Sequence, residues 1–137
     1  MKRTISIILG MLMLGICAWA QDKSTQQAEK AAQSWLLLVD KGDYSASYDE
    51  ASSFFKSAVT REQWEKALTA SRGSFGKPLS RKLKSSEFKT SLPGAPDGKY
   101  VVMQFEASFE NKKAAVETVT PMLDKDGEWR VSGYFVR

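Results

Sequence analysis

Hydrophobic and polar residues follow a helical period in the first half of this chain and a strand period in the second half. Over residues 25–41 the apolar side chains recur every three or four positions, which places them on one side of a helix: Ala28, Ala31, Ala32, Trp35, Leu38 and Val39. Gly42 ends this helix, and Asp43 can cap a second one. Four residues share a face of the second helix: Tyr44, Tyr48, Ala51 and Phe55.

A third helix is predicted to begin after Thr60. Thr60 and Gln63 have the spacing of a capping box, in which each side chain bonds to the backbone N–H of the other residue. An apolar stripe follows in Trp64, Ala67, Leu68 and Ser71. Gly73 and the run at residues 76–78 then break the helical pattern.

After residue 78 the pattern becomes that of strands. Residues 79–92 contain two short alternating pieces, and a bulge at Ser85–Ser86 would restore the inward face. A turn at residues 93–98 leads to the clearest strand of the chain. Its inward residues are Val101, Met103, Phe105, Ala107 and Phe109.

Two further strands are separated by short turns. Residues 114–123 alternate, and Pro121 inside them indicates an edge or a bulge. Residues 124–127 are a hairpin signal, and the last strand has one face made of Trp129, Val131, Gly133 and Phe135. The sequence therefore predicts an α+β fold, with three N-terminal helices packed on a bent, four-stranded antiparallel sheet.

The N-terminus has the features of a secretory signal. Lys2 and Arg3 precede an apolar run at residues 5–16, and small residues at Ala18 and Ala20 fit cleavage between Ala20 and Gln21. The alternative is an uncleaved membrane anchor, but the polar residues 22–25 favour removal. We expect a signal peptide at residues 1–20 and one domain at residues 21–137, located in the periplasm or secreted, with no membrane span after signal removal.

Cys17 offers a second possible fate for the N-terminus. It follows Leu14-Gly15-Ile16, which faintly resembles a bacterial lipobox, but the bulky Ile16 before the cysteine argues against lipoprotein anchoring. Cys17 is also the only cysteine, and the chain has no histidine. The mature chain would therefore lack a thiolate nucleophile, a histidine base, disulfides and the usual metal ligands, so we expect no metal and no cofactor.

The net charge adds little to the functional interpretation. The formal charge is +4, and Lys2 and Arg3 of the predicted signal account for two of these charges. The densest basic cluster consists of Lys77, Arg81, Lys82 and Lys84. On a strand such a cluster is usually a solvated face, and an exported protein rarely meets nucleic acid, so we expect no nucleic-acid partner.

Several strings of the sequence together resemble a bacterial exported family catalogued as domain of unknown function four-zero-one-nine. They lie at residues 34–36, 39–44, 55–60, 63–64, 92–98, 117–123 and 129–134. The family has no established activity, so the resemblance implies no catalytic residue. The layout is also similar to cone-shaped domains of the nuclear-transport-factor-two-like and cystatin-like types. In such cones the helices and the sheet enclose a cavity that serves catalysis in some members and binding in others.

Candidate site residues have both functional and structural interpretations. Glu117 lies among apolar neighbours: if it faces a cavity it is a candidate general acid or base, and if it faces water it is a solvated strand residue, which we favour. Arg81 and Arg130 can bind anions, but salt bridges explain them more simply, for example between Glu106 and Lys113 or Arg130.

Two further groups of residues are candidates for binding. Asp124, Asp126 and Glu128 could attract calcium, although a plain hairpin is favoured because the remaining ligands of a calcium loop are missing. Large aromatic residues could line a pocket, although core packing is their usual role. They are Trp35, Tyr48, Trp64 and Trp129.

The leading functional hypothesis is a non-enzymatic, exported binding or accessory domain. Its partner would be a small molecule or an envelope protein, and the predicted ligand-binding residues are Tyr48, Trp64, Arg81 and Tyr134. The alternative is a small-molecule hydrolase or isomerase that uses Glu117, oriented by Arg81 or Tyr134. Self-association through the sheet face to give a homodimer is compatible with either hypothesis.

Overall fold

Four helices precede a four-stranded sheet in the part of the chain that is described. The computed structural model describes the backbone of residues 13–137 and the side chains of residues 22–137. The helices are α1 (Met13–Asp40), α2 (Tyr44–Asp49), α3 (Ser53–Ala58) and α4 (Arg61–Phe75). The strands are β1 (Pro78–Lys89), β2 (Tyr100–Phe109), β3 (Lys112–Leu123) and β4 (Trp129–Val136).

The strands form one antiparallel meander in the order β1-β2-β3-β4. The predicted α+β class, with N-terminal helices before a four-stranded antiparallel sheet, is therefore confirmed. Likeness to the nuclear-transport-factor-two-like or cystatin-like domains stays a prediction.

The second predicted helix is two short helices. Ser52 is buried between them, and its backbone N–H donates to the carbonyl of Val131 in β4 at 2.9 Å. Its hydroxyl accepts from the Phe55 N–H at 3.1 Å and so caps α3. The prediction of one helix that includes Phe55 was wrong, because the Ser52 N–H bonds to the sheet and cannot continue α2.

The predicted helix ends are present. Gly42, just after α1, has a φ of +78°, a conformation that favours glycine. Asp43 caps α2 through the Ala46 N–H, and Thr60 and Gln63 form both bonds of the capping box at the start of α4.

The buried face of α4 differs from the predicted stripe. Trp64, Leu68 and Arg72 are buried at four-residue spacing, whereas Ala67 is exposed. The expectation that Ala67 lies on the packed face was wrong, because a residue three positions after Trp64 is rotated away from the row that faces the sheet.

The sheet has four register shifts, and two of them bear on the predicted strand faces. One lies between Leu83 and Ser85, as the predicted bulge requires, within a single long β1. The other lies between Thr120 and Pro121 and leaves Ser132 of β4 without an opposite residue. This second shift reverses the alternation of β4.

Because of this shift, the residues of β4 that face the helices differ from the predicted ones. Val131 is buried as expected, but Phe135 is 56% exposed, and Tyr134 packs against the core in its place. The expectation that Val131 and Phe135 share one face was wrong, since the unpaired residue between them changes the phase.

The core lies between α1 and the inner face of the sheet. Trp35, Leu36 and Val39 of α1 are almost fully buried against Met103 and Val119 of the central strands. Burying side chains of this size contributes roughly 1.5–3 kcal/mol each. The helices are therefore held on one face of the sheet, as the meander pattern predicted.

The predicted signal peptide stays a prediction. Residues 1–12 lie outside the described residues, and residues 13–20 are described only as the helical backbone that begins α1. Within the described part of the chain, no helix combines the length and apolar character needed to cross a lipid bilayer.

Candidate functional site

Glu117 lies at the centre of the sheet, on the face covered by the helices. It pairs with Phe105 of β2 on one side and with Val136 of β4 on the other. Its exposed fraction is 0%. The interpretation that Glu117 is a solvated strand residue was wrong, because it shares the inner face of β3 with Ala115 and Val119, which are also buried.

Three side chains satisfy the buried carboxylate. Arg81 of β1 donates from Nε to Oε1 at 2.6 Å and from Nη2 to Oε2 at 3.2 Å. The hydroxyl of Tyr134 donates to Oε2 at 2.5 Å. Arg72 of α4 lies with Nη1 3.5 Å from the same oxygen. Both carboxylate oxygens are therefore occupied by donors from the protein.

A second carboxylate balances the two arginines. Asp40, the last residue of α1, accepts from Arg81 at 2.8 and 2.9 Å and from Arg72 at 2.8 Å. We call Asp40, Arg72, Arg81 and Glu117, together with Tyr134, the charge network. Its two negative and two positive charges cancel, which is the condition under which buried charges are tolerated.

The charge network reaches solvent at one side only. The side chains of Arg72 and Glu117 are 2% and 0% exposed, whereas those of Arg81 and Asp40 are 17% and 14% exposed. The guanidinium of Arg72 also lies 4.5 Å from the centroid of the Phe109 ring. The network therefore joins α1 and α4 to β1, β3 and β4 from within the interior.

The surroundings favour the ionised forms of Asp40 and Arg81 and the neutral form of Tyr134. Burial raises the pKa of the Asp40 carboxyl, but hydrogen bonds from Arg81 and Arg72 outweigh burial and lower this pKa below its ordinary value. Burial lowers the pKa of the Arg81 guanidinium, but its bonds to Asp40 and Glu117 raise the pKa overall. Burial and the Glu117 charge raise the pKa of the Tyr134 hydroxyl, which keeps its proton.

The predicted ligand-binding residues fall into two places. Arg81 and Tyr134 are both brought to Glu117, as the alternative hypothesis requires. Trp64 lies beside Tyr134, with ring centroids 6.4 Å apart, and its indole N–H donates to the Ser47 hydroxyl at 3.0 Å.

Tyr48 lies away from the charge network. It packs on Phe55, and its hydroxyl donates to the Val59 carbonyl at 2.8 Å. The space between helices and sheet where Trp64 and Tyr134 meet is filled by their rings and by Trp35.

Sequence reasoning missed two members of the charge network. Arg72 continues the row that Trp64 and Leu68 begin, and Asp40 lies four residues after the buried Leu36. A charged residue on an apolar helical row is a signal for a buried partner of opposite charge. The partners themselves are distant in sequence and are placed by the fold.

A groove with tryptophan in its walls runs between α1, α2 and β4. We call it the tryptophan groove, and its volume is about 450 Å³. Its lining residues are Ala31, Ser34, Trp35, Leu38, Ala46, Glu50, Glu128, Trp129, Arg130 and Val131. Most of these residues are apolar, and the three charged ones bring both signs of charge. Pockets of about 300–1,000 Å³ with mainly apolar walls are typical of small-molecule sites.

Two acids of the β3–β4 hairpin, Asp124 and Asp126, are bound by protein groups. Asp124 accepts from the N–H and the hydroxyl of Ser53, the first residue of α3, at 2.9 and 2.5 Å. Arg130 donates to Asp126 at 2.7 Å and lies 3.5 Å from Asp124. Among the described residues no group of three acids is arranged to hold a metal ion.

A second groove lies at one end of the sheet. Its volume is about 660 Å³, and its lining residues are Ser80, Lys82, Glu106, Ala107, Ser108, Lys113, Ala114, Ala115, Val116 and Arg137. Glu106 pairs with Lys84 at 3.9 Å. The expected pairing of Glu106 with Lys113 or Arg130 was wrong, because β1 places Lys84 closer.

Comparison with known proteins identifies a family but no characterised relative. A search of curated proteins found no match to the chain. The model of one family, described as "Protein of unknown function (DUF4019)", matches residues 31–134. That span includes the whole charge network and all residues of the tryptophan groove. The chain therefore belongs to the DUF4019 family, whose function is unknown.

Proposed function

We propose that this protein is a non-enzymatic binding domain of the bacterial cell envelope, and that it holds a small molecule in the tryptophan groove. The observation that carries the proposal is the groove itself. It combines a suitable volume with the half-buried ring of Trp129 in its wall, the buried ring of Trp35 in its base, and polar groups at Glu50, Glu128 and Arg130. This arrangement of apolar walls and a few polar groups is the usual composition of ligand sites.

The residues at the base of the tryptophan groove are held in place by burial and hydrogen bonds. Trp35 is 3% exposed, and its indole N–H donates to the Ser47 carbonyl at 2.8 Å. Val131 in the floor is 1% exposed and bonds through its carbonyl to Ser52. A wall fixed by such contacts loses little conformational freedom when a ligand binds, which favours affinity.

The geometry does not favour the hydrolase or isomerase alternative based on Glu117. A general base needs a free lone pair within hydrogen-bond reach of its substrate. Both oxygens of Glu117 already accept from Arg81 or Tyr134, and the side chain has no exposed surface. A balanced network of this kind supports a structural role that fastens the helices to the sheet.

The site of action is proposed from the N-terminal residues alone. Lys2, Arg3 and the apolar run that follows support export, with cleavage between Ala20 and Gln21. Expression of the full chain in a Gram-negative host, followed by cell fractionation and mass measurement, tests this. A periplasmic product beginning at Gln21 is expected, and a cytoplasmic product or a lipid on Cys17 would contradict it.

Binding is tested by closing the groove. Ser34 lines the groove and is exposed, whereas its neighbour Gln33 is exposed but does not line it. We expect Ser34→Trp to lose any small molecule that co-purifies with the parent protein in native mass spectrometry, and Gln33→Trp to keep it. If the parent carries no small molecule, or if Ser34→Trp keeps it equally well, the proposal fails.

A further inference from the structure

The rim of the tryptophan groove carries two acids without ion-pair partners. Glu50 follows the end of α2 and Glu128 precedes β4, and both are exposed. Neither forms an ion pair within the described part of the chain. The rim therefore presents two carboxylates that are free to meet a ligand.

The cation that lines the groove is already neutralised. Arg130 lies 2.7 Å from Asp126 and 3.5 Å from Asp124. Of the residues that line the groove, Glu50 and Glu128 are negative and Arg130 alone is positive. The lining therefore has an excess of negative charge, although the chain as a whole has a formal charge of +4.

One wall of the groove suits a cation as well. Trp35 is 3% exposed and packs on Trp64 and Tyr134, so its ring belongs to the base of the groove and is not open to a ligand. Trp129 is half-buried and lines the same groove. Tryptophan rings attract ammonium groups more strongly than other aromatic side chains do.

We infer that the ligand of the tryptophan groove is an organic cation, a small molecule in which an apolar body carries one ammonium group. The body packs on Leu38 and Trp129, which are half-buried, and the ammonium group lies near Glu50 and Glu128. The volume of about 450 Å³ accommodates a small molecule of this type. This inference rests on the proposed function and adds the chemical class of the ligand.

The first test compares three small probes that share an aromatic ring. Benzyltrimethylammonium, benzyl alcohol and benzenesulfonate are cationic, neutral and anionic, and each is titrated into the full purified protein by calorimetry. We expect the cation to bind with a Kd on the order of 1 mM, since small ligands gain a limited free energy per atom. The other two should bind at least about fivefold more weakly, and binding of the cation should weaken with added salt.

The second test removes the rim charges. We expect Glu50→Gln and Glu128→Gln each to raise the Kd of benzyltrimethylammonium about fivefold, a factor that corresponds to about 1 kcal/mol for a nearby charge in water. Glu62→Gln is the matched control, because Glu62 is an exposed acid of α4 that does not line the groove. The control should leave the Kd unchanged.

The outcomes separate this inference from the proposed function. If the neutral or anionic probe binds as tightly as the cation, or if the two rim variants bind like the Glu62→Gln control, the inference is overturned. The proposed function survives that result if Ser34→Trp still abolishes binding of the preferred probe. If Ser34→Trp binds every probe as the parent does, the groove is not the site and both proposals fall.

Discussion

Replacing Glu117 with glutamine is the sharpest test of the charge network. The substitution keeps the shape of the side chain and removes one negative charge. Asp40, Arg72 and Arg81 then remain, so a site that was neutral carries one net positive charge in the interior. The new amide nitrogen is also a donor placed among donors, since Arg81 and Tyr134 both point their hydrogens at this side chain.

The stability that Glu117→Gln is expected to lose follows from the burial of Glu117 and from the number of hydrogen bonds that it accepts. Glu117 is 0% exposed and accepts three hydrogen bonds, at 2.6, 3.2 and 2.5 Å. Removing one partner of a buried ion pair costs about 3–5 kcal/mol, because the remaining charge stays buried without compensation. In a domain of this size the loss lowers the Tm by roughly 10–20 °C.

Thermal and urea unfolding followed by circular dichroism measure this cost. Glu106→Gln is the control, since Glu106 is an exposed acid of the neighbouring strand with one distant partner, Lys84 at 3.9 Å, and we expect a change within about 0.5 kcal/mol. Adding Arg81→Gln to Glu117→Gln restores neutrality, so the double variant should lose less stability than the two single losses combined. A loss for Glu117→Gln as small as that of the control would refute the reasoning.

Three further predictions concern other sites. Burial opposes ionisation of Asp124, but hydrogen bonds from Ser53 dominate and lower its pKa to about 2. The charged form therefore adds about 2 kcal/mol of stability above pH 4, which is lost as the pH falls from about 4 to about 2; urea titrations from pH 2 to 6 should show this slope in the parent and a smaller one in Asp124→Asn. Thr60→Ala removes the capping box of α4 and should cost about 1 kcal/mol in urea unfolding, and a cost near zero would contradict the role of the cap. The Thr118 hydroxyl is buried without a hydrogen-bond partner, so Thr118→Val should raise stability by up to about 1 kcal/mol in the same assay, whereas a clear loss would show that the hydroxyl is satisfied.

Local signals were sufficient to predict most of the fold. The capping box at Thr60 and Gln63 fixed the start of α4, and Pro121 marked a bulge that is present. The failures came from contacts between elements. Ser52 interrupts the helix predicted through Phe55 because its N–H bonds to Val131, a residue 79 positions later in the chain, and no local pattern carries that information.

The charge network shows why the site was harder to predict than the fold. Alternation assigned Glu117 to one of two faces, and the usual preference for charged residues at the surface selected the wrong one. Glu117 lies on the inner face because Arg72 and Arg81 pair with it there, and Asp40 balances their charge. These three residues come from three other elements. Their convergence depends on how α1 and α4 lie across the sheet, so it follows from the tertiary structure.

The neutrality of the charge network limits how this family can change its sequence. A lineage that replaces Asp40, Arg72, Arg81 or Glu117 alone leaves an uncompensated charge in the interior and loses much of its stability. A second replacement of opposite sign must accompany the first, or an apolar set must replace all four. Substitutions at positions 40, 72, 81 and 117 are therefore expected to occur together among relatives, as correlated changes between residues that are far apart in the chain.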